Sequence, residues 1–190
     1  GVGQIGLVDN DIVDLSNLQR QFIHNVDRIG LNKTESAKIF INKLNPNLII
    51  YDYVTDAKNP ELKKIIADYD IIIDCTDNFE TRFKIADDCQ EYKKPYILGT
   101  VRAYEGQITT ILPSTLKINN PKIRSLFNEE NTVNILDDCS DEGILSITTT
   151  LVGTIMASEC LKIILDINEG LFGKLLMVDL LNLRFETIKY

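Results

Sequence analysis

The amino-acid sequence predicts a mixed α/β fold built on a doubly wound sheet. Three observations support this prediction. Short apolar runs alternate with helical patterns along the first half of the chain. Ile71-Ile72-Ile73 is a continuous β-branched run, which is typical of a strand buried on both faces of a parallel sheet. Two polar motifs directly follow apolar runs, and in doubly wound sheets ligands bind beyond the carboxyl ends of the strands.

The elements follow one another in strand–helix order as far as residue 101. Asn45-Pro46 ends the first helix, Asn59-Pro60 is typical of a helix start, and Asn78 can cap the third helix. This order predicts a Rossmann-like, mostly parallel sheet. The pattern places strands over 5–8, 48–54, 71–73 and 96–101, and helices over 33–44, 60–67 and 79–92.

The periodicity changes after Gly99. Residues 107–112 read as a strand, and residues 174–179 and 184–189 as a closing hairpin, so we expect antiparallel strands at the C-terminal end. Residues 113–142 are polar and predict a long crossover loop, and loops of this length are commonly functional. Residues 144–165 have the length and composition of one buried helix.

Composition limits the class of protein. With 190 residues, 44% of them hydrophobic, the chain fits a single domain over 1–190 that buries its own core. A net charge of −8 argues against a nucleic-acid or membrane partner, which would need a basic surface. The four cysteines form no C-x-x-C pair, so we expect reduced thiols and a cytoplasmic location. The apolar run 144–165 is interrupted by Ser, Thr and Glu, which also disfavours a membrane span.

The first six residues match the dinucleotide pattern G-x-G-x-x-G, but they precede a strand instead of following one. That pattern binds phosphate only between a strand and a helix, so we interpret it here as a helix-to-strand turn. A doubly wound domain that opens on an acid-tipped strand lacks its first strand and helix. We therefore expect the sequence to be N-terminally incomplete, without its Gly-rich loop.

Two motifs carry the candidate site. Asp9-Asn10-Asp11 ends the first apolar run and leads into Ser16–Gln21, and Asp74–Asn78 closes the isoleucine strand. Together they place an acid at one strand end, an Asn and an Arg just beyond it, and further acids at a later strand end. These groups suit a nucleoside triphosphate and its metal ion.

The chain resembles the ThiF/MoeB/HesA adenylyltransferases, which activate ubiquitin-like sulfur carrier proteins and are related to ubiquitin-activating enzymes. The resemblance covers nearly the whole chain. The segments that carry it are Leu7–Asp11, Ser16–Gln21, Gly30–Lys33, Asp74–Asn78 and Glu105–Gln107.

The resemblance implies a role for each polar residue of the first motif. Asp9 would accept hydrogen bonds from the ribose hydroxyls. Asn17 and Arg20 would reach the triphosphate, because a guanidinium matches phosphate oxygens with a planar fork. Lys33, at a helix start, would add a compact positive charge near the phosphates.

For the second motif, the resemblance implies that Asp77 binds Mg²⁺, which prefers oxygen ligands. Asn78 would cap its helix or contact the nucleotide, and Asp74 would be structural. The single histidine, His24, reads as a packing residue.

The reaction implied is attack of a carrier protein's C-terminal Gly-Gly carboxylate on the α-phosphate of ATP. The carboxylate is already ionised at neutral pH, so no protein base is needed. The resemblance also implies a homodimer.

Many relatives hold a structural zinc with two C-x-x-C pairs. Here Lys122-Ile123-Arg124-Ser125 occupies the place of the first pair, so we predict no zinc. Cys139 lies where some relatives place a cysteine that takes the carrier covalently. Its acidic neighbours at 137, 138, 141 and 142 would raise its pKa, so a non-catalytic loop cysteine is the alternative. The other three cysteines read as buried packing thiols.

Other functions remain open. One is a catalytically inactive subunit that binds a partner, which the joint presence of Arg20, Lys33 and Asp77 argues against. Another is an enzyme similar to tRNA threonylcarbamoyladenosine dehydratases, which the acidic charge and Cys75-Thr76 disfavour. A nicotinamide dehydrogenase is weaker still, since no hydride-handling site is visible.

Overall fold

The computed structural model describes residues 2–113, 122–127 and 143–190. The chain divides into two compact units, residues 1–62 and 63–190, and each is described by itself.

The first unit is a β–α–β arrangement with a long connection after its first strand. Strands β1 (Gln4–Val8) and β2 (Ile49–Tyr53) pair in parallel, from Gln4 opposite Ile49 to Val8 opposite Tyr53. Helix α1 (Lys33–Leu44) contacts β2, as predicted for a strand–helix–strand unit. The connection between β1 and α1 contains two 3₁₀ turns, Leu15–Asn17 and Val26–Arg28.

Backbone hydrogen bonds hold this connection against the start of α1. The amide of Val13 donates to Leu31 O (2.8 Å), and the amide of Gly30 donates back to Val13 O (2.9 Å). Gly30 has a φ of 89°, a conformation that a residue with a Cβ adopts only at a cost. Val13 is buried, so these two hydrogen bonds also hold an apolar side chain in the unit's interior.

The second unit contains a five-stranded sheet in the order β3-β4-β5-β6-β7. The first two strands are parallel, and β5, β6 and β7 each run antiparallel to the strand before. The strands are β3 (Ile72–Asp74), β4 (Tyr96–Arg102), β5 (Glu105–Ile111), β6 (Lys174–Asp179) and β7 (Arg184–Lys189). The helices are α2 (Leu62–Asp68), α3 (Phe79–Glu91), α4 (Ile123–Leu126) and α5 (Ser146–Ile164).

The mixed α/β class and the antiparallel C-terminal strands are confirmed. Among the five strand pairs formed by the described residues, three are antiparallel, a larger share than the sequence led us to expect. The reason is the turn at Ala103-Tyr104, which returns the chain directly after β4, with Ala103 at a φ of 44°.

The core of the second unit lies between the sheet and α5. Ile97 and Ile108 are fully buried, and they pack with Val152 and Met156 of the helix and with Val178 of β6. The helix lies close to the sheet because β4 and β5 carry glycines at the contact. A Cβ at Gly99 would fall 2.2 Å from Met156 Sδ, and one at Gly106 would fall 2.4 Å from Val152 Cγ2.

The prediction that α5 is a buried helix is wrong for one of its faces. Val152 and Met156 face the sheet, but Ile147, Leu161 and Ile164 are exposed. Within the described ranges, α5 is the one helix long and apolar enough to cross a membrane by length and composition alone. A helix that covers a sheet passes the same test, so this is weak evidence of a membrane span.

Candidate functional site

The polar residues beyond β1 form a chain of hydrogen bonds that reaches α1. Oδ1 of Asp9 accepts the backbone N–H of Asp11 at 2.8 Å, and Oδ2 of Asp11 pairs with Nζ of Lys33 at 2.7 Å. The backbone N–H of Lys33 also donates to the carbonyl of Asp11 at 2.9 Å. Asp11 therefore links two of the residues that were predicted to contact the nucleotide, Asp9 and Lys33.

Asn17 and Arg20 lie on one turn of the same connection. Oδ1 of Asn17 accepts the backbone N–H of Asp14 (3.2 Å), and this closes a capping box around the Leu15–Asn17 turn. The Arg20 guanidinium donates to Ser16 O at 3.1 Å. The Asn17 amide nitrogen is not used by the cap, so it is the atom of Asn17 that is left to donate to a ligand.

His24 is a packing residue, which agrees with its interpretation from the sequence. It is buried, and its Nδ1 lies 2.8 Å from Oγ of Ser36 on α1. Burial lowers the pKa of His24, the nearby charges of Lys33 and Arg28 lower it further, and Asp9 acts in the opposite direction. The neutral imidazole therefore anchors the connection to α1, close to two of the predicted site residues.

The loop after β3 is fixed from both sides. Asp74 is buried, and its carboxylate accepts the backbone N–H of Thr76 (2.8 Å) and the hydroxyl of Tyr96 (2.6 Å). Arg82 on α3 donates from Nε to the carbonyl of Thr76 at 3.0 Å, and its Nη2 reaches the same oxygen. These contacts support the structural role expected of Asp74.

Asp77 projects from this fixed loop and is exposed. Its Oδ1 accepts a long hydrogen bond, 3.3 Å, from Nδ2 of Asn78. Asn78 itself is the N-cap of α3, since its Oδ1 accepts the backbone N–H of Thr81 at 2.9 Å. The cap role that the sequence allowed for Asn78 is thus present.

Three buried side-chain oxygens have no hydrogen-bond partner among the described residues, and each belongs to the immediate neighbour of a predicted site residue. Buried polar atoms without partners are rare in folded proteins, and water or a ligand commonly satisfies them. They are Oε1 of Gln21, Oγ1 of Thr34 and Oγ1 of Thr76, next to Arg20, Lys33 and Asp77 respectively.

The predicted site residues fall in both units. Asp9, Asn17, Arg20 and Lys33 belong to the first unit, and the pair Asp77-Asn78 belongs to the second. Cys139 lies outside the residues that the structure describes.

The remaining cysteines differ in exposure. Cys89 is buried, which raises the pKa of its thiol, and Cys160 is partly buried, which has the same effect on its pKa. Cys75 is an exposed residue, which contradicts its interpretation as a packing residue, but burial of its sulfur and the charge of Asp74 raise the pKa of its thiol to about 11. It follows Asp74 at the point where the chain leaves β3.

The described part of the crossover segment carries no zinc-binding groups. Lys122, Ile123, Arg124 and Ser125 offer no thiolate, and among the described residues no three His, Cys, Asp or Glu side chains cluster as metal ligands. The side chains at the place of the first cysteine pair therefore do not fit a four-thiolate site.

The sequence predicted no role for Asp11, Arg82 or Tyr96. Asp11 lies inside a motif that we singled out, so its proximity to Asp9 was visible. The partners of Arg82 and Tyr96 are fixed only by the fold.

In doubly wound α/β folds ligands bind beyond the carboxyl ends of the strands, which is where this chain carries a carboxylate, an amide and a guanidinium. The ThiF family model matches residues 1–190, and the chain belongs to the ThiF family.

Curated relatives match over the whole chain. The SAMP-activating enzyme E1 of Haloferax volcanii is 36% identical over 190 residues, which are 100% of this chain and 68% of that protein. The molybdopterin-synthase adenylyltransferase of Haemophilus influenzae is 38% identical over 189 residues, 100% of this chain and 76% of that protein. A probable molybdopterin-synthase adenylyltransferase of Porphyra purpurea is 40% identical over 190 residues, and the chain spans 49% of its length.

Solved structures show the same fold. The crystal structure of E. coli MccB with ATP matches with a TM-score of 0.83 at 18% identity, over 98% of this chain and 56% of that chain. The crystal structure of PaaA matches with a TM-score of 0.78 at 20% identity, over 100% of this chain and 65% of that chain.

Proposed function

We propose that this protein uses ATP to adenylate the C-terminal Gly-Gly carboxylate of a ubiquitin-like sulfur carrier protein. The observation that carries the proposal is the hydrogen-bonded chain Asp9–Asp11–Lys33, which belongs to the same unit as the turn with Asn17 and Arg20. It combines a ribose acceptor, an amide donor and two cations within one unit. The relatives named as adenylyltransferases and as an activating enzyme support the same reaction class.

In this proposal the first unit binds the nucleotide. Asp9 offers Oδ2 to the ribose hydroxyls, since Oδ1 is taken by Asp11 N–H. Asn17 donates from Nδ2, and Arg20 and Lys33 neutralise phosphate charge. The Oγ1 of Thr34, which has no hydrogen-bond partner among the described residues, supports this assignment, because a hydroxyl next to Lys33 in the chain can donate to a phosphate oxygen.

Asp77 would hold Mg²⁺, which neutralises phosphate charge when it is bound. The donor chemistry fits, because the Asp77 carboxylate is exposed and engages only one long hydrogen bond among the described residues. Oγ1 of Thr76, in the same loop, is a second oxygen for which the described part of the chain offers no hydrogen-bond partner. Asn78 contributes as the cap that fixes this loop to α3, and we keep its nucleotide contact as part of the proposal.

The carrier carboxylate is the nucleophile. A carboxylate oxygen forms a bond to the α-phosphorus, the bond from that phosphorus to the bridging oxygen breaks, and pyrophosphate leaves with the bonding electrons. The products are an acyl-adenylate and pyrophosphate. The protein supplies orientation and charge neutralisation, and no side chain needs to take a proton.

We further propose that the protein acts as a cytoplasmic homodimer without a nucleic-acid or membrane partner. The net charge of −8 supports the last part, because an excess of negative charge repels the polyanionic backbone of a nucleic acid and an anionic membrane surface. The family resemblance supports the dimer. Cys139 is the candidate for a covalent step that follows adenylation.

ATP–pyrophosphate exchange with candidate carriers tests the proposal. The full-length protein should exchange label only when a carrier ending in Gly-Gly is present, and a carrier without its last Gly is the matched control. Cys139→Ala should leave exchange unchanged even if sulfur transfer stops. No exchange with any Gly-Gly carrier would favour an inactive partner-binding subunit, and carrier-independent turnover of threonylcarbamoyladenosine in tRNA would favour the dehydratase alternative.

A further inference from the structure

Helix α4 lies against α3. Its first residue, Ile123, is 2% exposed, so an apolar side chain anchors this short helix in the unit. The Arg124 guanidinium pairs with Asp87 and also lies over the ring of Phe83, with its central carbon 4.9 Å from the ring centroid. These contacts fix residues 122–127 of the crossover segment to the helix that begins at the candidate metal loop.

The last contact of this segment reaches the start of α3. The rings of Phe127 and Phe79 pack at a centroid distance of 5.1 Å and an angle of 53°, an attractive tilted arrangement. Phe79 is the first residue of α3, directly after Asp77-Asn78. The Arg82 guanidinium lies 4.9 Å from the Phe79 centroid, and it is the same guanidinium that donates to the carbonyl of Thr76.

A continuous series of contacts therefore runs from Phe127 through Phe79 and Arg82 to Thr76. The N–H of Thr76 is held from the other side by Asp74 at 2.8 Å. Both backbone groups of the residue before Asp77 are thus fixed, one by the sheet and one by α3. The side of the loop that faces α3 depends on Arg82, which is 6% exposed and lies against the Phe79 ring.

We propose that α4, with Phe127 directly after it, is a positioning element for the loop 74–78: Phe127, acting through Phe79 and Arg82, holds the Thr76 carbonyl and so fixes the backbone from which Asp77 would hold Mg²⁺. Phe127 and Arg82 are positioning residues, since they act through Thr76. The effect on catalysis rests on the proposed function, whereas the effect of α4 on the loop 74–78 does not. Undocking α4 loosens the loop that carries Asp77.

Hydrogen exchange measures this link without any nucleotide. In the full-length protein, Phe127→Ala should speed amide exchange of residues 74–82 by about tenfold, because the Thr76, Thr81 and Arg82 amides lose a fixed acceptor when the loop opens. Phe127→Leu keeps the apolar bulk but not the ring face, so it should give a smaller increase. Phe185→Ala removes an exposed phenylalanine of β7 and is the matched control, with no change expected in 74–82.

Faster exchange confined to residues 122–127, with 74–82 unchanged, would overturn the proposal. Arg82→Lys provides a second route to the same answer if Phe127→Ala does not fold. A lysine keeps the charge but has a single nitrogen, so it cannot donate to the Thr76 carbonyl from two nitrogens as the guanidinium does. The variant should therefore also speed amide exchange of residues 74–82. Unchanged amide exchange of residues 74–82 in a folded Arg82→Lys variant would also overturn the proposal.

Kinetics tests the consequence. In pyrophosphate exchange, Phe127→Ala should raise KM for Mg·ATP and the Mg²⁺ concentration at half-maximal rate by about tenfold, with a smaller effect on kcat. A purely structural loss of folded protein would lower the rate at every Mg²⁺ concentration without moving that midpoint. If the wild-type protein shows no exchange, the proposed function fails, and the hydrogen-exchange result still decides the link between α4 and the loop.

Discussion

The hydroxyl of Tyr96 donates a 2.6 Å hydrogen bond to Oδ2 of Asp74, and both residues are almost completely buried. A buried carboxylate needs such donors, so Tyr96→Phe should lower the free energy of unfolding by about 1–3 kcal/mol. Urea unfolding measures the change. Tyr51→Phe is the control on an exposed ring and should change stability by less than about 0.5 kcal/mol. Equal stability of Tyr96→Phe and wild type would mean that Asp74 does not depend on this hydroxyl.

The contact of α5 with the sheet gives a second prediction, through two glycines with opposite surroundings. A methyl group at Gly106 would meet Val152 Cγ2 at 2.4 Å, and a β-branched side chain has little freedom to move away. Gly106→Ala should therefore cost about 1–3 kcal/mol of stability. Gly153, inside α5, has open space around it, so Gly153→Ala should stabilise the protein by about 0.5–1 kcal/mol through helix propensity. Thermal or urea unfolding of both variants should give changes of opposite sign.

His24 predicts a dependence of stability on pH. Its pKa is lowered in the folded protein from the ordinary value of 6.5, so below that value the unfolded chain takes up a proton that the native imidazole resists. The free energy of unfolding should fall as pH drops through 6.5 and level off below the native pKa. His24 is the single histidine of the chain, so His24→Gln isolates the effect.

Loss of the Ser36 contact lowers the stability of His24→Gln at every pH. The informative quantity is therefore the slope of the unfolding free energy against pH. Between about pH 7.5 and pH 5.5, the variant should lose less stability than the wild type. Parallel curves for the two proteins would show that burial of His24 does not resist protonation.

The sequence predicted the elements whose signals are local. The bounds of α1 and of both strands of the closing hairpin agree with the pattern, and Asn78 caps α3 through its side chain as expected. These features depend on helical periodicity, strand alternation and capping chemistry, which operate within a few residues of the chain.

Long-range contacts could not be predicted in this way. Tyr96 and Asp74 are 22 residues apart, and only the pairing of β3 with β4 brings them together. The exposed face of α5 is another example, because its apolar composition gave no sign of which face meets the sheet. In the candidate site, residue types and motif spacing pointed to Asp9, Arg20 and Asp77, whereas Arg82 acts on a backbone carbonyl and has no signature in sequence.

The ion pair between Lys33 and Asp11 predicts a change in nucleotide affinity. A lysine has large rotamer freedom, and the 2.7 Å contact holds its ammonium group at the start of α1 before ATP arrives. Asp11→Ala should therefore raise KM for ATP by about three- to tenfold in pyrophosphate exchange, and Asp11→Asn should give an intermediate value. A lower KM in Asp11→Ala would mean that the carboxylate only competes with phosphate for Lys33.

Asp74 and Asp77 are both aspartates of the same loop, but substitution of Asp77 should affect activity and substitution of Asp74 should affect stability. Asp77 is exposed and makes one long hydrogen bond among the described residues, so Asp77→Ala should keep the unfolding free energy of the wild type. It should reduce pyrophosphate exchange by about 10²–10³-fold, as expected when the ligand of a cation that neutralises transition-state charge is lost. Asp74→Asn should instead lower stability, because the new amide cannot accept from both Thr76 and Tyr96 as the carboxylate does. Unchanged exchange in a folded Asp77→Ala protein would remove the metal role. A loss of stability in Asp77→Ala equal to that in Asp74→Asn would show instead that both carboxylates hold the loop.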